Sequence, residues 1–339
     1  MKRTLFVAFL LATLAVTAQA QSGTVLLNAA GATFPYPIYS KWFDVYHTAH
    51  PDVQINYQSI GSGGGIRQLL AGTVDFGASD GPMSDDQLAQ AKFKILHFPT
   101  VLGAVVPTYN IPGVSGELNF TQKAIAGIYL GQITKWNDPE IAKANAGVKF
   151  PNADIVVVHR SDGSGTTYIF TDFLSKTSDE WKNKVGKGTS VNWPVGLGGK
   201  GNEGVTGLVK QTPGSIGYIE LIYAVQNNIP YGKVQNAAGK FVKADLAGVT
   251  AAAAGAAKDM PEDFRVSIAN APGATSYPIS SFTWLLIPAQ IQDAKKREDI
   301  KGFLKWMLND GQNYNEGLSY SRLPKPVVAK ELKAISLIQ

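Results

Sequence analysis

Ile155-Val156-Val157-Val158-His159-Arg160-Ser161-Asp162-Gly163-Ser164-Gly165-Thr166-Thr167 is the stretch that decides the fold class. The β-branched run from Ile155 to Val158 argues for a strand covered on both faces. It ends at an arginine and passes through two glycines into a Ser/Thr segment suited to open a helix. Such a connection turns backbone N–H groups toward one spot, and the first turn of the helix adds partial positive charge. Arg160 contributes a planar, permanently charged fork, and Ser164 and Thr166 contribute hydroxyls. The set makes an anion receptor, with no base, thiol or metal ligand in it. The same composition also suits an ordinary β–α turn with Arg160 paired to Asp162 at the surface, so the argument needs a second site.

That second site precedes the first. Residues 54–60, Gln-Ile-Asn-Tyr-Gln-Ser-Ile, alternate as a strand and run into Gly61-Ser62-Gly63-Gly64-Gly65, after which Ile66, Leu69 and Leu70 recur at helical spacing. A Gly/Ser run between a strand and an amphipathic helix reads as a ligand loop in preference to a flexible linker. Residues 73–78 form a short strand that delivers Ser79-Asp80 at its carboxyl end, where ligands of open α/β sheets gather. Upstream, Ala32-Thr33-Phe34-Pro35-Tyr36-Pro37 leads into Ile38, Trp42, Val45 and Tyr46, the stripe of an amphipathic helix with proline at its start. Thr33 caps this helix or, with the Phe34 N–H, faces an anion; the two uses are compatible.

Composition agrees with an exported α/β chain. With 45% hydrophobic residues, 339 residues can bury large cores in two domains. Residues 1–20 read as a secretory signal peptide: a basic Met1-Lys2-Arg3, a short apolar run, and Ala18-Gln19-Ala20 as cleavage site. That run is shorter than the ~20 residues a membrane span needs. The absence of cysteine excludes a lipid-modified N-terminal Cys and any disulfide, which favours a soluble periplasmic product. Loss of Lys2 and Arg3 takes the formal charge from +5 to +3, too diffuse an excess for nucleic acid. No nucleophile elbow, phosphate loop of the G-x-x-x-x-G-K-[ST] type or H-E-x-x-H pair is read from the chain. His47 and His50 lack a third ligand, and His97 and His159 read as structural.

Several motifs then carry a resemblance. Ala30-Gly31-Ala32-Thr33-Phe34-Pro35, Tyr39-Ser40-Lys41-Trp42, the glycine loop at 61–65, Val74-Asp75-Phe76-Gly77-Ala78-Ser79-Asp80 and Arg160-Ser161-Asp162-Gly163-Ser164-Gly165-Thr166 closely resemble the periplasmic phosphate-binding proteins of bacterial ABC-type phosphate importers. Asp179-Glu180-Trp181-Lys182-Asn183 and residues 193–202 extend the likeness over nearly the whole mature chain. The resemblance implies a two-lobed type II periplasmic binding-protein fold that closes over one phosphate like a flytrap, each lobe a mixed sheet flanked by helices. Lobe I would comprise 21–100 and 280–339, and lobe II 101–279. Thr33, Phe34, Ser62 and Asp80 would bind from the first, and Arg160, Ser164, Gly165 and Thr166 from the second, with Asp162 behind Arg160. It also implies a monomer without cofactor or metal, no catalysis, and delivery of phosphate to a membrane permease. Three positions depart from the family pattern: Asn28-Ala29-Ala30 in place of a Gly-rich stretch, Gly63 for a second serine, and Ser161 for a frequent alanine.

Within that frame Asp80 sets selectivity. An ionised carboxylate only accepts hydrogen bonds, so it suits an anion that brings a proton and repels one that does not. Phosphate at neutral pH keeps a P–O–H and sulfate keeps none. A helix N-cap ahead of Gly81-Pro82 is the structural alternative for Asp80. Two other functions fit the same cradle: a receptor for another oxyanion such as sulfate or molybdate, and a phosphoester hydrolase, which needs a nucleophile or metals.

Overall fold

The computed structural model describes residues 23–339, so the signal peptide expected over residues 1–20 lies outside the described residues. Among the described residues eleven strands are interspersed with helices: β1 (Val25–Gly31), β2 (Val53–Ser59), β3 (Phe76–Ser79), β4 (Ile95–Asn110), β5 (Asn119–Phe120), β6 (Val156–Arg160), β7 (Leu197–Gly199), β8 (Ser215–Glu220), β9 (Lys233–Gln235), β10 (Phe241–Val242) and β11 (Ser280–Pro288). Eight of them join one mixed sheet in the order β2-β1-β3-β11-β4-β8-β6-β7, and β10-β9-β5 form a small second sheet. The chain is α/β, as its alternating pattern of elements predicts.

The mixed sheet flanked by helices is present as expected, and it runs as one continuous ladder because β4 serves two neighbours in turn. Over Ile95–Ala104 it pairs antiparallel with β11, and over Val105–Asn110 with β8. Nearly the whole strand is buried, so every N–H and C=O along it needs a partner on one side or the other. Pro99 interrupts the strand pattern of this stretch. Pairing accommodates it with a bulge: Thr283 and Trp284 face Val101 and Pro99, leaving Thr100 as the extra residue. The Thr100 hydroxyl is then held by Tyr39 Oη at 2.9 Å and by the Thr283 carbonyl at 3.2 Å.

The parallel strands bring the ligand loops to one place. β1 pairs in parallel with β2 and β3, and β6 in parallel with β7 and β8. Their carboxyl ends deliver Ala32–Pro35, Gly61–Ser62, Asp80 and Ser161–Ser164 into a common crevice, the usual location of ligands in open α/β sheets. Helices Ser62–Ala71, Gly165–Thr177 and Gly201–Gln211 start in this crevice. Helix Tyr36–Ala49 buries Ile38, Tyr39, Trp42, Phe43 and Tyr46 against the sheet, so the predicted stripe is its core face. Pro35 occupies the cap position, which releases Thr33 from that role.

Candidate anion-binding cleft

Two glycine-rich loops meet face to face in the crevice. The Gly63 N–H donates to the Gly163 carbonyl at 2.8 Å, and the Gly165 N–H donates to Ser62 Oγ at 3.0 Å. Glycine is required where they touch. Gly61 adopts φ +86°, and a Cβ there would press on the Asp162 carboxylate. A Cβ on Gly165 would stand 2.5 Å from both Asp80 Oδ2 and Ser62 Oγ. Thr33, Ser62, Asp80, Arg160, Ser164 and Thr166 are all buried, so the crevice is dry and its polar contacts are strong.

Arg160 approaches with its charge already matched. Its Nε and Nη2 donate to the two Asp162 oxygens at 2.8 and 2.5 Å, a bidentate fork, while Nη1 donates to Thr166 Oγ1 at 3.2 Å. Burial alone would lift the Asp162 carboxyl; the hydrogen-bonded guanidinium and the Gly201 N–H outweigh it and hold the group below the usual carboxylate range. Tyr218 fixes the rear of the arginine, its hydroxyl accepting the Arg160 N–H at 3.1 Å and bonding Thr167 Oγ1 at 2.7 Å.

Asp80 is treated differently. No helix starts at Gly81-Pro82, so the cap alternative falls; the next helix is Asp85–Ala89, capped by Ser84. Asp80 Oδ1 accepts the Thr283 hydroxyl at 2.8 Å, which leaves Oδ2 beside Gly165. Burial pushes its pKa up to about 7, against the opposing pull of Thr283 and the Arg160 charge. The carboxyl therefore holds its proton more tightly than an exposed aspartate does.

Hydroxyl lone pairs are consumed by protein donors. Ser62 Oγ accepts from the Asp80 N–H at 3.2 Å as well as from Gly165, so only its proton remains for a ligand. Ser164 Oγ caps helix Gly165–Thr177 by accepting the Thr167 N–H at 3.0 Å. Direct hydrogen bonds thus join Ser62, Asp80 and Gly165 in one group and Arg160, Thr166 and Asp162 in another. Thr33 is tied to Thr166 through Asn202. Among the described residues Phe34 bonds none of these; its carbonyl accepts Tyr320 Oη at 2.6 Å, and its ring packs over Gly103.

Four partners escaped the sequence-level reading: Asn202, Thr283, Tyr218 and Glu220. Asn202 stands in a quoted motif, but nothing local marks its side chain as part of the cleft. The Glu220 carboxyl is fully buried, accepts the Ile222 N–H at 2.7 Å, and is raised well above the ordinary range by burial, with the Asp80 charge adding to the effect.

Gly77-Ala78-Ser79-Asp80-Gly81 carries the spacing of a nucleophile elbow, contrary to the expectation that no serine stands in one. Its geometry differs from an elbow: no helix follows directly, and the buried Ser79 hydroxyl donates to the Gly81 carbonyl at 2.5 Å. His97 is a neutral acceptor for the Met83 N–H, its pKa pushed down to about 4 by burial, and His159 stacks on Trp193 at 4.9 Å. Among the described residues no group of His, Cys, Asp or Glu could hold a metal ion, and no helix is long and apolar enough to cross a membrane.

Sheet order and crevice define a class, the type II periplasmic binding proteins. Comparison with known proteins gives the family. Residues 18–311 match the model of the PBP superfamily domain. A "Phosphate-binding protein PstS" of Xylella fastidiosa is 46% identical over 93% of this chain and 85% of its own length. Another, of Pasteurella multocida, is 44% identical over 97% and 94%. Among solved structures, a putative phosphate ABC transporter substrate-binding protein with bound phosphate from Clostridium perfringens superposes with TM-score 0.65 at 20% identity, covering 88% of this chain and all of that one. A phosphate-binding protein from Stenotrophomonas maltophilia gives TM-score 0.69 at 18% identity, over 91% and 94%. The chain belongs to the PBP superfamily and, within it, to the phosphate-binding proteins of bacterial ABC-type phosphate importers.

Proposed function

We propose that this chain binds inorganic phosphate with high affinity in the periplasm, after removal of its signal peptide, and hands it as a monomer to a membrane permease of the ABC type. The relatives' names support the ligand, and the cleft supports the manner of binding. Lobe I, 21–100 with 280–339, and lobe II, 101–279, close over the anion, and β4 changes partner near their junction. Thr33, Phe34, Ser62 and Asp80 bind from one lobe, and Arg160, Ser164, Gly165 and Thr166 from the other. Donors are mostly N–H and O–H dipoles, because Asp162 cancels the Arg160 charge.

One observation carries the reading: a buried carboxyl without a cation of its own faces a cradle of donors. Donors call for an anion, and Asp80 calls for a proton on it, a pair of demands that phosphate meets and fully ionised sulfate fails. A receptor also suits the hydroxyls better than a hydrolase does. Ser62 and Thr166 each accept two N–H bonds, so each turns its proton toward the anion as a donor.

Calorimetric titration of the mature protein at pH 8 tests this. One tight phosphate site per chain and no measurable sulfate heat is the expected result. Equal binding of both anions would overturn the role given to Asp80, and sustained turnover of a phosphomonoester would overturn the receptor reading.

A further inference from the structure

We infer that Asn202 is a positioning residue that turns the Thr33 and Thr166 hydroxyls into obligate donors toward the anion. Its amide orientation follows from chemistry. The Glu220 backbone N–H, which can only donate, meets one end of the Asn202 amide at 2.9 Å, so that end is Oδ1 and the NH2 points the opposite way. There Nδ2 reaches Thr33 Oγ1 at 2.8 Å and Thr166 Oγ1 at 3.1 Å.

Each threonine oxygen also receives a second donor. The Asn202 backbone N–H lies 3.2 Å from Thr33 Oγ1, and Arg160 Nη1 lies 3.2 Å from Thr166 Oγ1. A hydroxyl oxygen has two lone pairs, and here both are filled, so each group keeps only its proton to offer. Rotating the amide would strip Glu220 of its buried acceptor and is therefore disfavoured. Asn202 itself is fully buried.

The arrangement links binding to closure. Thr33 follows β1, while Thr166 and Asn202 follow β6 and β7, so the donors are aligned only once the two loop sets have met. An open cleft leaves the Thr33 hydroxyl free to accept from water; closure converts it to a donor. This rests on Thr33 and Thr166 being phosphate ligands, and the test separates the two ideas.

Phosphate affinity would be measured by calorimetry, with thermal melting of the unliganded protein as a check on folding. In the wild-type background Asn202→Ala should weaken binding about tenfold, the worth of a misaligned buried hydrogen bond. In a Thr33→Val/Thr166→Val background the same change should cost less than about twofold, because the groups it acts through are gone. Asn202→Asp keeps the acceptor for Glu220 and presents acceptors to the threonines; it should weaken binding about a hundredfold or more, and much less in the double-valine background. An equal loss in both backgrounds, or wild-type affinity in Asn202→Asp, overturns the positioning role. Should Thr33→Val/Thr166→Val itself bind as tightly as wild type, the ligand assignment fails instead.

Discussion

Arg160 and Asp80 lie on opposite walls of one crevice, at 3% and 1% exposure, and their surroundings differ in kind. The arginine is paired before any ligand arrives: Asp162 takes two of its donors, and the wall is electrically neutral. Among the described residues the aspartate has the Thr283 hydroxyl bonded to it and no cation in contact, and burial raises it to about 7. One wall therefore offers hydrogen-bond geometry without net charge, and the other offers a carboxyl that burial makes easier to protonate. Under the proposed function the anion would be recognised by dipoles, and its proton by the unpaired acid.

Arg160→Met attacks the paired wall and should have the largest effect. With Asp162 left buried and uncompensated, chemical denaturation should show a loss of about 3–5 kcal/mol, and titration no phosphate binding. Adding Asp162→Leu should return most of the stability and none of the binding. A single variant as stable as wild type would mean that the pairing does not neutralise this wall.

Asp80→Asn attacks the unpaired wall. An acid raised in the folded state contributes its full stability only below its unfolded value near 4 and loses it as pH climbs through about 7. Melted without ligand, Asp80→Asn should therefore gain in Tm over wild type at pH 8 and gain nothing at pH 4. Its preference for phosphate over sulfate should fall by at least about a hundredfold. In the wild type, sulfate affinity should rise from pH 8 to pH 5 as Asp80 supplies the missing proton; a flat profile would remove the distinction between the walls.

Ser164→Ala sharpens the comparison on a smaller scale. It removes the helix cap and one hydroxyl proposed to bind the anion, leaving the charges as they are. The expected losses are about 1 kcal/mol in denaturation and about tenfold in phosphate affinity.

Much of the cleft was readable along the chain because its loops sit in short strand–loop–helix units. Gly61–Gly65 and Ser161–Thr166 announce themselves through glycine, hydroxyl and arginine spacing within a few residues. Asn202 and Thr283 do not, since they meet Thr33 and Asp80 across 169 and 203 residues. An asparagine at the start of a helix and a threonine in an apolar strand look ordinary in isolation. The length of β4 was hidden likewise: Pro99 and Pro107 lower its strand propensity, and pairing with β11 and β8 overrides them.

From the sequence alone came the α/β class, the two glycine loops, the lone arginine and the aspartate at a strand end, because these depend on local backbone preference and hydrophobic period. Only the folded chain decided which hydroxyls donate, how the Arg160 charge is cancelled, and that Asp80 stays without a cation. Those outcomes depend on which buried polar groups come within hydrogen-bond reach of each other, and burial makes each such neighbour count.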